Sequence, residues 1–482
     1  MPKPLFLLSF LGIALLSHPP LRAQARVRPV APAETDLTSP APGRSVGQPA
    51  AAPTILQAYI RQGLDSNLAL QQRNFDWEKA RLGLRRAESL FYPQAGFSSQ
   101  YTLADGGRTQ SIPVGDLLNN VYSTLNALTA SNKFPQVANQ SIQFLPNDYH
   151  DTKLEITLPV INPDLRYNRQ ISGETINSRQ ADVDIYKREL VQQIRQGYYR
   201  YLQAGKAVEI YADALTLVKE NLRVSEKFVE NKMATREIVL RARSQVSQVE
   251  SSLIESKNNL RNARSYFNFL LNRSLDEPVI VDSSLSRGLG RSVAQTVAGE
   301  LPAAREELVK LKSAQKIMET NLKWSQSYMV PKLNAFYDVG FQGFGFHFDN
   351  NQFYQLAGVQ LAWPLFKGYD NKYKIRQARL DISSVNEQYR ELELQLTLQV
   401  RTTGNDYSSA LEALSSLADE VESARETYRL TERRFAEGQA LQIELVDART
   451  QMTGAEIRYS LGQLTVLSKA ADLERVTASY KF

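Results

Sequence analysis

The chain has 482 residues, with 57 Lys and Arg against 51 Asp and Glu for a formal net charge of +6, and it contains no cysteine. Disulfides, thiolate metal sites and a lipid-bearing N-terminal cysteine are thereby excluded. Acidic and basic residues are interspersed as on a solvated helical surface, so the charge pattern offers nothing to nucleic acid.

Lys3, the apolar run Leu5 to Leu16 and the small-residue site Ala23-Gln-Ala25 are the three parts of a secretory signal peptide over residues 1–25. The mature protein is therefore expected to be exported. That run is too short to span a bilayer, and no later stretch supplies the roughly 18 apolar residues of a transmembrane helix. Residues 26–53, with Pro29, Pro32, Pro40, Pro42, Pro49 and Pro53, cannot bury enough surface to offset ordering entropy and read as a disordered tail.

Two structural repeats are expected, 54–282 and 300–482, joined by a linker at 283–299. In the first, a helical pattern runs to Tyr92 and ends at Pro93. The period then falls to two over a strand at about 94–104, where Ala95, Phe97, Ser99, Tyr101 and Leu103 alternate with mostly polar neighbours. From about Ala104 to Asp151 the chain carries Asn119, Asn120, Asn126, Asn132, Asn139 and Asn147. It reads as a variable surface loop, with an extracellular plug or partner contact as its functional alternative. A strand at about 151–159 alternates Leu154, Ile156 and Leu158 with Lys153, Glu155 and Thr157 and stops at Pro159. A long helix follows, with Val208, Tyr211, Leu215, Val218, Leu222, Ser225 and Val229 on one seam; a tip lies at about 228–238, and Val239, Ala242, Val246, Val249 and Leu253 return.

The second repeat has the same order. A helix from about Leu301 ends at Pro331, strands lie at about 333–346 and 353–364, and a seam of Ala410, Leu414, Leu417, Val421, Ala424, Tyr428, Thr431 and Phe435 reaches a tip at about 435–445. Leu445, Ala448, Met452, Ala455 and Tyr459 lead back. Leu392, Leu394, Leu396 and Leu398 alternate like a strand, but their flanks place them on the helix. Phe228 precedes Asn231 and Glu237 by the same steps as Phe435 precedes Gly438 and Glu444. Gly438, and Asn231 as the next most tolerant residue, are expected to take the left-handed backbone that ends each descending helix.

Each long helix of about 70 residues would reach roughly 100 Å, a rod without a globular core that crosses a distance. Four strands with one apolar face each cannot close a barrel, and open edges cannot sit in lipid. Several chains must share one barrel: two would give eight strands and three would give twelve.

The helix ending Tyr92-Pro93, the strand end Leu361-Ala-Trp-Pro364 with Leu-Phe-Lys-Gly368, the two Phe-x-x-(Gly/Asn) tips and Leu-Val-Asp447-Ala resemble the TolC family of outer-membrane efflux channels. The resemblance implies a mainly α fold with a small β part, in a homotrimer whose shared 12-stranded barrel continues as a long periplasmic α-helical tunnel. It implies an outer-membrane exit duct of a Gram-negative bacterium, embedded in outer-membrane lipid, docking with a periplasmic adaptor (membrane fusion protein) and an inner-membrane transporter. Drugs, metals or secreted proteins would be the cargo. The rival reading, an exported structural or adhesive coiled-coil protein, is disfavoured by the strands beside prolines and by the duplication.

No enzyme, cofactor or metal site is expected, since His18, His150 and His347 are the only histidines and have no paired-ligand spacing. Glu444 and Asp447 share a helix face near a positive helix end. The resemblance makes them a ring of pore-entrance carboxylates, where the first hairpin has Leu240 in place of Asp447. The resemblance also implies a tip latch at Phe435, Ala440 and Glu237, but Phe435 has no hydroxyl and Ala440 no charge. The tip gate is therefore expected to rest on packing of Phe228 and Phe435, with Arg236 beside Glu237 reaching for Glu444. Asn231 and Gly438 are the expected tip turn and adaptor contact, and Tyr480-Lys-Phe482 a frayed tail.

Overall fold

The computed structural model describes residues 55–281 and 305–482; the expected signal peptide, tail and linker lie outside them. The one helix expected up to Tyr92 is two, α1 (Ile55–Ser66) and α2 (Leu68–Ser89). Between them Asn67 is extended at ψ 123°, its side-chain oxygen accepting the Leu70 N–H and its amide donating to the Leu270 carbonyl. The break is thus an N-cap tied to a distant part of the chain. There follow β1 (Gln94–Thr102), β2 (Thr109–Ile112), α3 (Val114–Thr129), β3 (Gln140–Gln143), β4 (Tyr149–Ile161), α4 (Pro163–Glu230) and α5 (Arg236–Leu270). The second repeat supplies α6 (Glu306–Gln326), β5 (Lys332–Phe344), β6 (Phe353–Ala362), α7 (Asp370–Ala436) and α8 (Gln442–Thr477). The stretch between β1 and β4, expected as a loop, is a folded β2–α3–β3 cap.

The sheet order is β1-β4-β5-β6, all antiparallel, and its two faces differ. Register places Phe97, Leu154, Val339 and Gln355 in one row, and Ala95, Ile156, Tyr337 and Ala357 in the next. On this face Phe97, Leu154, Tyr337, Val359 and Leu361 are exposed. The opposite face carries Asp151, Lys153, Glu155 and Asp338, with Lys153 3.2 Å from Asp338. An apolar face toward lipid and a charged face toward a lumen is the pattern of a barrel wall. None of the described helices is long and apolar enough to cross a membrane.

At the foot of the sheet Asn162 caps α4 and Pro163 opens it, so strand becomes helix with no intervening loop. Asp164, just inside, accepts the Trp324 indole N–H at 2.8 Å and pairs with Lys332. By contrast Gly368 and Tyr369, at φ 55° and 65°, lie on the irregular stretch that joins β6 to α7. Helices α4 and α7 have 68 and 67 residues, roughly 100 Å each. The 35 and 36 residues of α5 and α8 pair with their lower halves. Val218, Ser225, Val239, Ala242, Val246, Leu253, Val421, Leu445, Ala448 and Ala455 of the expected seams are buried. Residues 392–400 are helical throughout; Leu396 is buried, while Leu394 and Leu398 face outward.

The rods do have a core, contrary to expectation. Midway down, Tyr59 and Ile60 of α1, Leu190, Ile194 and Tyr198 of α4, and Phe267 and Leu270 of α5 form one buried cluster with Leu271 and Ala471. Each contribution is a few residues from a separate helix, so no single stretch announces the cluster. Gly63 lets α1 approach: a Cβ there would meet Ile194 Cδ1 at 2.3 Å. Beside the core the second repeat is tied to the first. Arg188 pairs with Glu306 at 2.6 Å, and its guanidinium holds that carboxyl below the usual range although burial opposes this. Buried Arg305 donates to the Val476 carbonyl.

The C-terminus is folded back rather than frayed. Tyr480 packs against the core, its carbonyl accepts from Arg188 at 2.9 Å, and Phe482 lies 5.0 Å from that guanidinium while half exposed. An exposed cation–π contact is worth about 0.5–1 kcal/mol. Deleting Phe482 is thus expected to leave outer-membrane assembly nearly intact on unheated gels of membrane extracts; a variant that no longer assembles would assign the terminal ring a larger role.

Candidate periplasmic entrance

Both descending helices end in the same hydrogen-bonded turn. Gly438 N–H donates to the Phe435 carbonyl at 2.9 Å and Gln439 N–H to that of Arg434 at 2.8 Å; Lys232 donates to Val229 at 3.0 Å and Met233 to Phe228 at 2.8 Å. Gly438 takes φ 71° as expected, but the left-handed residue of the first tip is Lys232 at φ 62°, while Asn231 stays at φ −80°. The hairpins therefore correspond one residue away from the phenylalanine spacing. Thr235 matches Leu441 at the helix start, Ile238 matches Glu444, and Arg241, not Leu240, matches Asp447.

Glu444 and Asp447 stand exposed on one face of α8, while Gln442, Leu445, Ala448 and Arg449 are buried on the other. Glu444 accepts the Leu441 N–H at 3.3 Å, closing the helix start, and Asp447 accepts from Gln451 at 2.9 Å. Neither carboxylate has a cationic partner among the described residues. On the first hairpin Glu237 is neutralised by Arg241 at 2.6 Å. Glu444 and Asp447 thus keep their charge on α8, beside Glu230 and Glu437 at the two turns.

The phenylalanine contact expected at the gate is present, with Phe228 and Phe435 ring centroids 5.9 Å apart. The cross-hairpin pair between Arg236 and Glu444 is not formed: Arg236 has no ion pair among the described residues, and Glu237, at the implied latch position, is held by its own helix. Sequence reasoning missed two buried polar links between the hairpins. Gln442 donates to Ser225 Oγ at 2.7 Å, and Arg449 donates to the Ala214 carbonyl at 3.2 Å with its guanidinium 5.8 Å over the Tyr428 ring. Burial lowers the Arg449 pKa, and its Nε has no partner. Burial, with Glu432 accepting from its hydroxyl, pushes Tyr428 up to about 12. Ser225 in an otherwise apolar seam was the one signal available.

Because the phenylalanines touch and Arg236 bonds nothing across the tip, Phe435→Ala is expected to change single-channel conductance more than Arg236→Ala. The reverse ranking in bilayer recordings would mean that charge, not packing, holds the tip.

Residues 297–479 match the outer membrane efflux protein family. The alkaline protease secretion protein AprF of Pseudomonas aeruginosa is 21% identical over 313 residues, which cover 61% of this chain and 64% of that protein's length. Among solved structures, the outer membrane protein VceC of Vibrio cholerae aligns with a TM-score of 0.67 at 15% identity over 88% of this chain and 95% of its own. The CmeC outer membrane channel of Campylobacter jejuni aligns with a TM-score of 0.68 at 12% identity over 92% and 94%. The second repeat thus resembles the outer membrane efflux protein family, and over nearly all its described length the chain shares the fold of VceC and CmeC.

Proposed function

We propose that three copies of this chain form an outer-membrane exit duct, a passive conduit for efflux or secretion that joins a periplasmic adaptor and an inner-membrane transporter. The observation that carries it is the four-stranded sheet: an apolar face, a charged face and unpaired edges at β1 and β6, mounted on helices of about 100 Å. Such a sheet is stable in lipid only when neighbouring copies pair its edges, and twelve strands then leave room for a lumen lined by Asp151, Lys153, Glu155 and Asp338. The helical hairpins carry that lumen into the periplasm and end at the carboxylates of α8. Asn231, Lys232 and Gly438, at the two tip turns, are the surface offered to an adaptor. A rod built only for adhesion has no need of a two-faced sheet.

Cell fractionation followed by unheated gel electrophoresis of the detergent extract tests the reading. An outer-membrane species of three chains is expected; a soluble periplasmic monomer would overturn it.

A further inference from the structure

The β1–β4 hairpin does not end at the rim of the sheet. The Tyr101 hydroxyl donates to Asp148, the Ala104 N–H to Asn147 Oδ1 at 2.9 Å and the Phe144 N–H to the Arg108 carbonyl at 2.9 Å, and the ribbon continues through β2 and β3 to α3. Asparagines make this end rigid. Asn119 exchanges two hydrogen bonds with the backbone of Val137 at 2.8 and 2.9 Å, and Asn126 two with Phe134 at 3.0 and 2.7 Å. Tyr122 and Phe134 stack at 5.8 Å, and at Gly115 a Cβ would meet the Val137 carbonyl at 2.3 Å. One face of α3 is therefore spoken for.

The other face is not. Leu117, Val121 and Leu128, spaced to form one stripe, are 69%, 52% and 78% exposed. Between Thr109 and Asn147 the only charged residues are Asp116 and Lys133, in a chain that is 22% charged overall. An anionic lipid surface would be matched by clustered Lys and Arg, which this cap lacks. A surface poor in charge with an apolar centre suits a protein contact, and identical copies can meet there without like charges facing each other. The cap is also carried by the hairpin of β1, an edge strand. In the shared barrel that edge is where the next copy joins.

We infer that the α3 stripe docks on the cap of the neighbouring copy, so that three caps close into a collar over the outer mouth of the duct. This rests on the shared-barrel reading. The absence of cysteine makes the test clean. Leu117→Cys, Leu128→Cys and the double variant are placed in the full chain in cells, with Lys133→Cys as the exposed control. A membrane-impermeant maleimide should label the stripe cysteines several-fold less than Cys at position 133 in the intact trimer, and equally once heat separates the chains. Full labelling in protein that still runs as a trimer unheated would overturn the collar alone. Protection that detergent removes while the trimer stays intact would mean that lipid covers the stripe, and also overturns it. Loss of the trimer in unmodified protein would overturn the parent reading instead.

Discussion

Changing Glu444 to Gln and Asp447 to Asn together is expected to bring the cation-to-anion permeability ratio of the reconstituted channel down several-fold, toward no preference. Both carboxylates are exposed on the side of α8 away from the packed seam, and neither has an ion pair among the described residues. In a trimer they place six negative charges around one constriction, where low-dielectric walls focus the field. The effect should be largest in dilute salt and fade as the Debye length drops from about 10 Å at 0.1 M to 3 Å at 1 M. Gln at position 444 can still close the helix start as Glu does, so the fold is not at issue. Arg433 and Arg434, in the last turn of α7, are cations of the same tip, and their removal should shift the ratio the other way. Reversal potentials unchanged by the double substitution in a dilute salt gradient would place the entrance elsewhere.

The second large effect is on stability. Phe267→Ala should cost about 3–5 kcal/mol, the usual range for emptying a buried aromatic site. Phe267 is fully buried, meets the Tyr59 ring edge-on at 5.1 Å and lies 5.6 Å from Tyr198, so it joins α1, α4 and α5 at one point. Limited proteolysis of the detergent-solubilised variant should cut first around Asn67 and after Leu271, where α1 and the chain beyond α5 lose their shared support. Phe228→Ala at the half-buried tip should leave that pattern unchanged. Equal resistance of wild type and Phe267→Ala would mean that the cluster is not what holds the midsection.

What was legible in the residues was whatever repeats locally. The seams of α4, α5, α7 and α8 are visible because one face must stay apolar for the length of a rod, and the four strands because their side chains alternate; Pro159, expected to stop β4, is instead carried within it at a register shift, and the strand runs on to Ile161. Decisions made by distant partners were hidden. Asn67 breaks a helix because Leu270 supplies an acceptor, and nothing near Asn67 says so. The asparagines between β1 and β4 read as loop formers when taken singly, yet Asn119 and Asn126 clamp α3 to the irregular chain that leads to β3. Phenylalanine spacing misplaces the tip register, because the turn is set by backbone bonds that place Lys232, not Asn231, opposite Gly438. Arg449 could not be found from its neighbours, since its partner is a carbonyl on the other hairpin. That Glu444 and Asp447 share the exposed face of α8 was readable, because i and i+3 positions on the outer side of a seam need no tertiary knowledge.

The two long helices leave the sheet differently, and this has a mechanical consequence. Helix α4 starts one residue beyond its strand, with Asp164 braced by Trp324 and Lys332, so its root is held against torque. Helix α7 instead joins its strand through the irregular chain between Ala362 and Asp370, which contains two left-handed residues, so a tilt of that helix would have to arise there. Over a lever arm of roughly 100 Å, a tilt of about 5° at that joint would sweep the far end through about 9 Å. Small angular play at the sheet would thus become a stroke wider than a water molecule at the end that carries Glu444 and Asp447.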